Sequence, residues 1–239
     1  MFFIPSYVIV VIYVLAAIIP AAILLRYIYK KDTVEKEPLP LLGSLCFMGV
    51  LAAAASVILE TIGEGILNSV AKPGTPSYYV LLAFLVVAAV EEGTKMLFLY
   101  WRSWKSPYFN FRFDGIVYAV FVSLGFAAIE NVEYVLGYGL SVAVSRAVLS
   151  IPGHMGFAVV MGVFYGRAKW YDNYGYHAEK RSNLIAAYVT SVALHGFYDA
   201  CAMIGSGLSM VFFIIFVIAM YIVIFNLIKK ESATDAPIV

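Results

Sequence analysis

Charge is what this chain has least of, and its scarcity identifies the solvent. Lys, Arg, Asp and Glu together make up 13% of 239 residues, against 63% hydrophobic, and the mean hydropathy is +0.89. A water-soluble domain of this size could not cover so much apolar surface. There are two cysteines, Cys46 and Cys201. Both fall in apolar runs, which excludes a disulfide framework and gives no sign of a thiol nucleophile. The chain also lacks internal repeats, low-complexity tracts and any polar stretch long enough for a soluble domain. Its net charge of +1 gives no basic surface for a nucleic acid. Nor is there an HExxH helix or another compact zinc signature.

What the chain has instead is apolar runs long enough to cross about 30 Å of hydrocarbon as helices. Seven are expected, near residues 5–25, 41–59, 78–100, 114–135, 142–165, 184–203 and 208–228. The first lacks the basic flank and small-residue cleavage site of a signal peptide and reads as a span. The fold class is therefore an all-α polytopic membrane bundle. One transmembrane domain covers 1–230, followed by a short, disordered cytoplasmic tail over 231–239. The segment 60–77, ETIGEGILNSVAKPGTPS, reads as an outer connector, lying on the membrane surface or dipping into it.

Basic residues set the orientation. With the N-terminus outside, the cytoplasmic segments 26–40, 101–113, 166–183 and 229–239 hold 13 of the 16 Lys and Arg. Only Lys72, Lys95 and Arg146 lie elsewhere. That bias predicts N-terminus out and C-terminus in. The aromatics Trp101, Trp104, Tyr108, Trp170 and Tyr171 form a belt at the inner boundary.

Ionisable groups inside spans are costly and mark function by default. They are Glu91, Glu92 and Lys95 in the third span, Glu130 in the fourth, His154 in the fifth, and His195 with Asp199 in the sixth. Glu91 and Lys95 are four apart and can pair, and so can His195 and Asp199. Glu92 is turned about 100° from Glu91 and is expected to share the lysine only in part. At about 1.5 Å rise per residue, Glu91, His154 and His195 reach similar depths near the midplane, with Glu130 and Asp199 nearer the outer third. Such a set suits water activation. Two imidazoles and a carboxylate could hold zinc while a second glutamate takes a proton from water. Alternatively, a glutamate activates water directly and a histidine stabilises the oxyanion. Two other readings remain open: a proton-coupled transporter, and a non-catalytic scaffold with structural ion pairs. The glycines of GHMGFAVVMGVFYG, with Gly162 and Gly166 four apart, read as close helix packing.

The motifs EEGTK at 91–95, GFAAIEN at 125–131, PGH at 152–154 and HGFYD at 195–199 resemble the PrsW family of intramembrane proteases. That family is related to the type II CAAX prenyl endopeptidases, whose motifs run EExxxR, FxxxH and HxxxN/D. The resemblance runs from about Glu37 to Asp199. It implies Glu91 and Glu92 as catalytic carboxylates, and His154 and His195 as metal ligands or oxyanion stabilisers. Asp199 takes the place of the Asn or Asp of HxxxN/D. Glu130 stands where the prenyl endopeptidases have His, which makes it a candidate third ligand. Lys95 replaces their arginine one residue early, and both departures favour the PrsW branch over prenyl-cysteine substrates. The resemblance implies cleavage of a single-pass membrane substrate, an anti-sigma factor, on its extracytoplasmic side in a prokaryotic plasma membrane.

Overall fold

The computed structural model describes residues 5–238; positions 1–4 and 239 of the expected domain and tail lie outside that range. The chain runs through α1 (Ser6–Lys31), α2 (Leu39–Val70), α3 (Pro76–Leu81), α4 (Ala89–Ser103), α5 (Asp114–Tyr138), α6 (Ser141–Ser145), α7 (Ile151–Asn173), α8 (His177–Ile204) and α9 (Gly207–Ala233). A π-helical segment, Leu82–Ala88, joins α3 to α4, and another, Arg146–Ser150, joins α6 to α7. The chain therefore crosses seven times, with α3–α4 and α6–α7 each forming one continuous crossing. Six crossings are long and apolar enough to span a membrane by length and composition. The α3–α4 crossing carries Glu91, Glu92 and Lys95 in its middle.

Local chemistry sets the helix ends. Thr75 caps α3 by accepting the Tyr78 N–H, with Pro76 in its first turn. Ser206 caps α9 through the Ser209 N–H, just after Gly205 closes α8 in the left-handed region at φ 61°, where a side chain would be strained. The most buried crossings are α5 and α7, which stand at the centre; α1 and α9 lie outside and present Val10, Val11, Leu15, Phe212, Ile215 and Ile218 outward. That apolar exterior suits lipid contact.

Close approach of backbones makes the centre. A Cβ on Gly115 would stand 2.6 Å from the Gly162 carbonyl oxygen and 2.6 Å from the Gly166 nitrogen. The glycines of α7 thus let α5 lie directly against it, as their spacing predicts. Gly125 of α5 meets the Cys46 backbone of α2 in the same way. Both cysteines are free thiols.

Two expectations are corrected. Residues 60–70 are not an outer connector but the last turns of α2. Leu67 packs with Tyr78 and Val86, and the Tyr78 hydroxyl donates to Asn68 Oδ1 at 2.7 Å; this tertiary contact outweighs the poor helix propensity of Gly63 and Gly65. Nor are residues 231–238 disordered. Beyond α9 the chain turns back along the 110–113 loop: Arg112 N–H donates to Ala236 O at 3.1 Å and Ile238 N–H to Asn110 O at 2.7 Å. Asp235 Oδ1 accepts the Phe113 N–H at 2.9 Å, and Ile238 is fully buried. Backbone donors of a loop need acceptors, and these last residues supply them.

Candidate active site in the bundle interior

α4 contributes most to the site. Glu91, Glu92 and Lys95 are all buried on it, directly after the π-helical segment. Such segments commonly mark functional positions, because the extra residue rotates the helical turns beyond it. The Lys95 ammonium donates to Glu91 Oε2 at 2.9 Å and to Glu92 Oε1 at 2.8 Å. Glu92 therefore shares the lysine fully, contrary to the expectation from its angular offset. Residues three apart are also helical neighbours, and the long lysine stem reaches both.

The same ammonium lies 3.1 Å from Nδ1 of His154 on α7. An ammonium only donates, so that nitrogen is the unprotonated one and Nε2 carries the hydrogen. Nε2 lies 2.9 Å from Glu130 Oε2 on α5. Glu130 in turn faces Arg146, whose NH2 is 2.9 Å from Oε1. Arg146 Nε donates to Asn131 Oδ1 at 2.8 Å, and Asn131 donates to the Ala17 carbonyl of α1. His154 is thus oriented by a chain of polar contacts that starts on the outermost helix.

His195 on α8 sits between two carboxylates. Its Nδ1 is 2.9 Å from Glu92 Oε1 and its Nε2 is 3.2 Å from Asp199 Oδ2. The ring stacks on Phe157 at 4.7 Å between centroids and stands 5.4 Å from the His154 ring. Glu92 Oε2 is buried with no partner among the described residues.

Among the described residues, one ligand atom each from Glu91, His154 and His195 lies within 4.8 Å of the others, a group able to hold a metal ion. All six candidate residues therefore belong to one network across α4, α5, α7 and α8. Glu91, Glu130, His154, His195 and Asp199 line a cavity of about 580 Å³; Glu92 lies behind that wall.

The cavity also exposes residues not expected at the site, among them the charged Glu133. Beyond uncharged lining such as Tyr134 and Tyr198, these include Arg146, and Glu60, which the corrected course of α2 brings into the wall with Ala53, Ser56 and Val57. Their spacing along one helical face was the available signal. Each lining residue comes from the middle of its crossing or from the half farther from the basic face. Water would therefore reach the site from the face opposite the lysines and arginines.

A family model for PrsW family intramembrane metalloproteases matches residues 37–227. The chain belongs to the PrsW family. Proteins named Protease PrsW share its sequence over most of its length. The one from Geobacillus kaustophilus is 36% identical over 186 residues, 77% of this chain and 76% of its own. That of Clostridioides difficile is 33% identical over 222 residues, 91% and 90% of the two chains, and that of Bacillus subtilis 32% over 186 residues, 77% and 79%. No solved structure matches. This PrsW-family chain is a multi-pass membrane protein and an intramembrane protease, with bacterial relatives, so the transporter and scaffold readings fall away.

Proposed function

We propose that the chain hydrolyses one peptide bond of a single-pass membrane protein, with Glu91, His154 and His195 holding a zinc ion and Glu92 taking the proton of the attacking water. The observation that carries this is the convergence of donors from three helices within 4.8 Å, beside a second, fully buried carboxylate. One carboxylate with two imidazoles is a catalytic zinc set that keeps positions free for water and substrate. Glu91 fits better than Glu130 as third ligand, because Glu130 already faces both His154 and Arg146. When bound, the metal supplies Lewis acidity toward the scissile carbonyl and makes its water acidic.

The chain's own groups do the rest. Glu130 and Asp199 each engage Nε2 of a ring, His154 and His195 respectively, which fixes ring orientation. The Nδ1 atoms are the ones a metal would take, and here they face Lys95 and Glu92 Oε1. Glu92 stands just behind the cavity lining; a small shift of its side chain would bring the unpartnered Oε2 to the water, to accept its proton and return it to the departing amine. The substrate segment enters extended, since a helix has no free backbone groups to offer. With the N-terminus outside, as the basic bias favours, the cavity receives it from the extracytoplasmic side. The family resemblance makes an anti-sigma factor the expected substrate.

Co-expression with a single-pass reporter substrate tests this reading. Glu91→Ala, Glu92→Ala, His154→Ala and His195→Ala should each abolish cleavage at unchanged protein level. Normal cleavage by all four variants would overturn the assignment. Persistence of full activity after exhaustive chelation, with no zinc by elemental analysis, would leave only the metal-free glutamate scheme.

A further inference from the structure

The Lys95 ammonium stands where a bound cation would. It is 1% exposed, and its three hydrogen bonds to Glu91, Glu92 and His154 Nδ1 use every donor an ammonium has. It also lies 4.1 Å over the Phe126 ring centroid, so its charge is compensated wholly inside the protein. Two of those three partners, Glu91 and His154, belong to the metal-capable group. The third, Glu92, contacts the remaining member, His195.

Lysine and metal compete for the same lone pair. His154 has one unprotonated ring nitrogen, and with Nε2 on Glu130 that nitrogen is Nδ1, which Lys95 holds. Without a cation here, Glu91 and Glu92 would be adjacent carboxylates in a medium of low dielectric, where like charges repel strongly. A lysine stem is flexible enough to move, and it has somewhere to go. The ammonium can release His154 Nδ1 and Glu91 while keeping its contact with Glu92 Oε1, so it stays paired and leaves Glu92 Oε2 free for the water proton.

We propose that Lys95 is a built-in counter-cation of the catalytic centre: it holds Glu91, Glu92 and His154 together when no metal is bound, and it withdraws toward Glu92 when a metal ion enters. This rests on the metal reading of the site given above. The protein can then fold before it is loaded, and its metal affinity is set below what the ligands alone would give.

The test measures zinc binding by the full-length protein in detergent, through competition with a chromophoric chelator, together with thermal melting of the chelated and zinc-loaded forms. Lys95→Gln should bind zinc about tenfold or more tightly than wild type, because a competing buried charge is gone. Chelated Lys95→Gln should melt about 10 °C below chelated wild type, with zinc closing most of the gap. Should Lys95→Gln fail to fold, Lys95→Gln/Glu92→Gln is compared with Glu92→Gln by the same zinc titration, and the same tightening is expected. Zinc affinity equal to or weaker than that of the protein retaining Lys95 overturns the proposal while leaving the metal reading intact. Absence of stoichiometric zinc in wild type overturns both.

Discussion

Glu92 differs from every other ionisable residue in the cavity region in touching both a cation and an imidazole while keeping one oxygen free. Glu92→Gln preserves its size but removes the basic atom, and a cleavage rate about 10²- to 10⁴-fold lower is expected in a reconstituted assay. The residues behind the rings should be milder. Asp199→Asn and Glu130→Gln should each lose about 10- to 100-fold in rate or in metal affinity, since they orient ligands and do not react. A Glu130→Gln enzyme that is wholly dead would argue for a direct role in its place. At this scale the sequence was half legible. Pairs within one helix turn, Glu91–Lys95 and His195–Asp199, follow from spacing. Glu92–His195, separated by 103 positions, and Glu130–His154 depend on how helices rotate against one another, which one sequence does not encode locally.

Helix contacts extend the same logic. α5 and α7 meet through glycines, so Gly115→Ala or Gly162→Ala forces backbones apart. Overpacking of about 1–3 kcal/mol per site is expected, read as a lowered melting temperature in detergent with the zinc content falling alongside. The chain's end contributes too: deleting residues beyond Ala233 uncovers the Phe113 and Arg112 N–H groups and loses the buried Ile238. A drop of several degrees is expected from about 1.5–3 kcal/mol of lost apolar burial. Between α1 and α2, burial pushes the Glu37 carboxyl up to about 7 and that of Asp32 to about 6; Tyr118 Oη lies 2.7 Å from Glu37 Oε2. Both carboxyls hold their protons better folded than unfolded, so the stability they give is complete below their ordinary range and fades as pH rises through 6 to 7. Glu37→Gln should flatten that slope in melts recorded from pH 4 to 8. Helix existence was readable because period and length speak for themselves. The extent of α2 was not, because Gly63 and Gly65 look like loop residues until Val86 is set against Gly63, and Val86 and Tyr78 against Leu67.

For the whole molecule, hydropathy made seven crossings legible, while the assembly of α4, α5, α7 and α8 around one chamber lined by ionisable groups was legible only in outline, from matched depths. The chamber's lining predicts which face is open. Cysteines introduced at Ala202 or Ser145 should react with an impermeant thiol reagent added outside intact cells, and Glu60→Cys should react more slowly, being deeper. Reaction only after permeabilisation would reverse the proposed orientation.

That chamber is small. A cavity of about 580 Å³ could not enclose a helix about 10–12 Å across along a whole spanning segment. On the hydrolysis proposed above, the enzyme would act as a gauge for the strip of chain unravelled at one rim of the bilayer, and moving a helix-breaking residue along the client should move the cut with it.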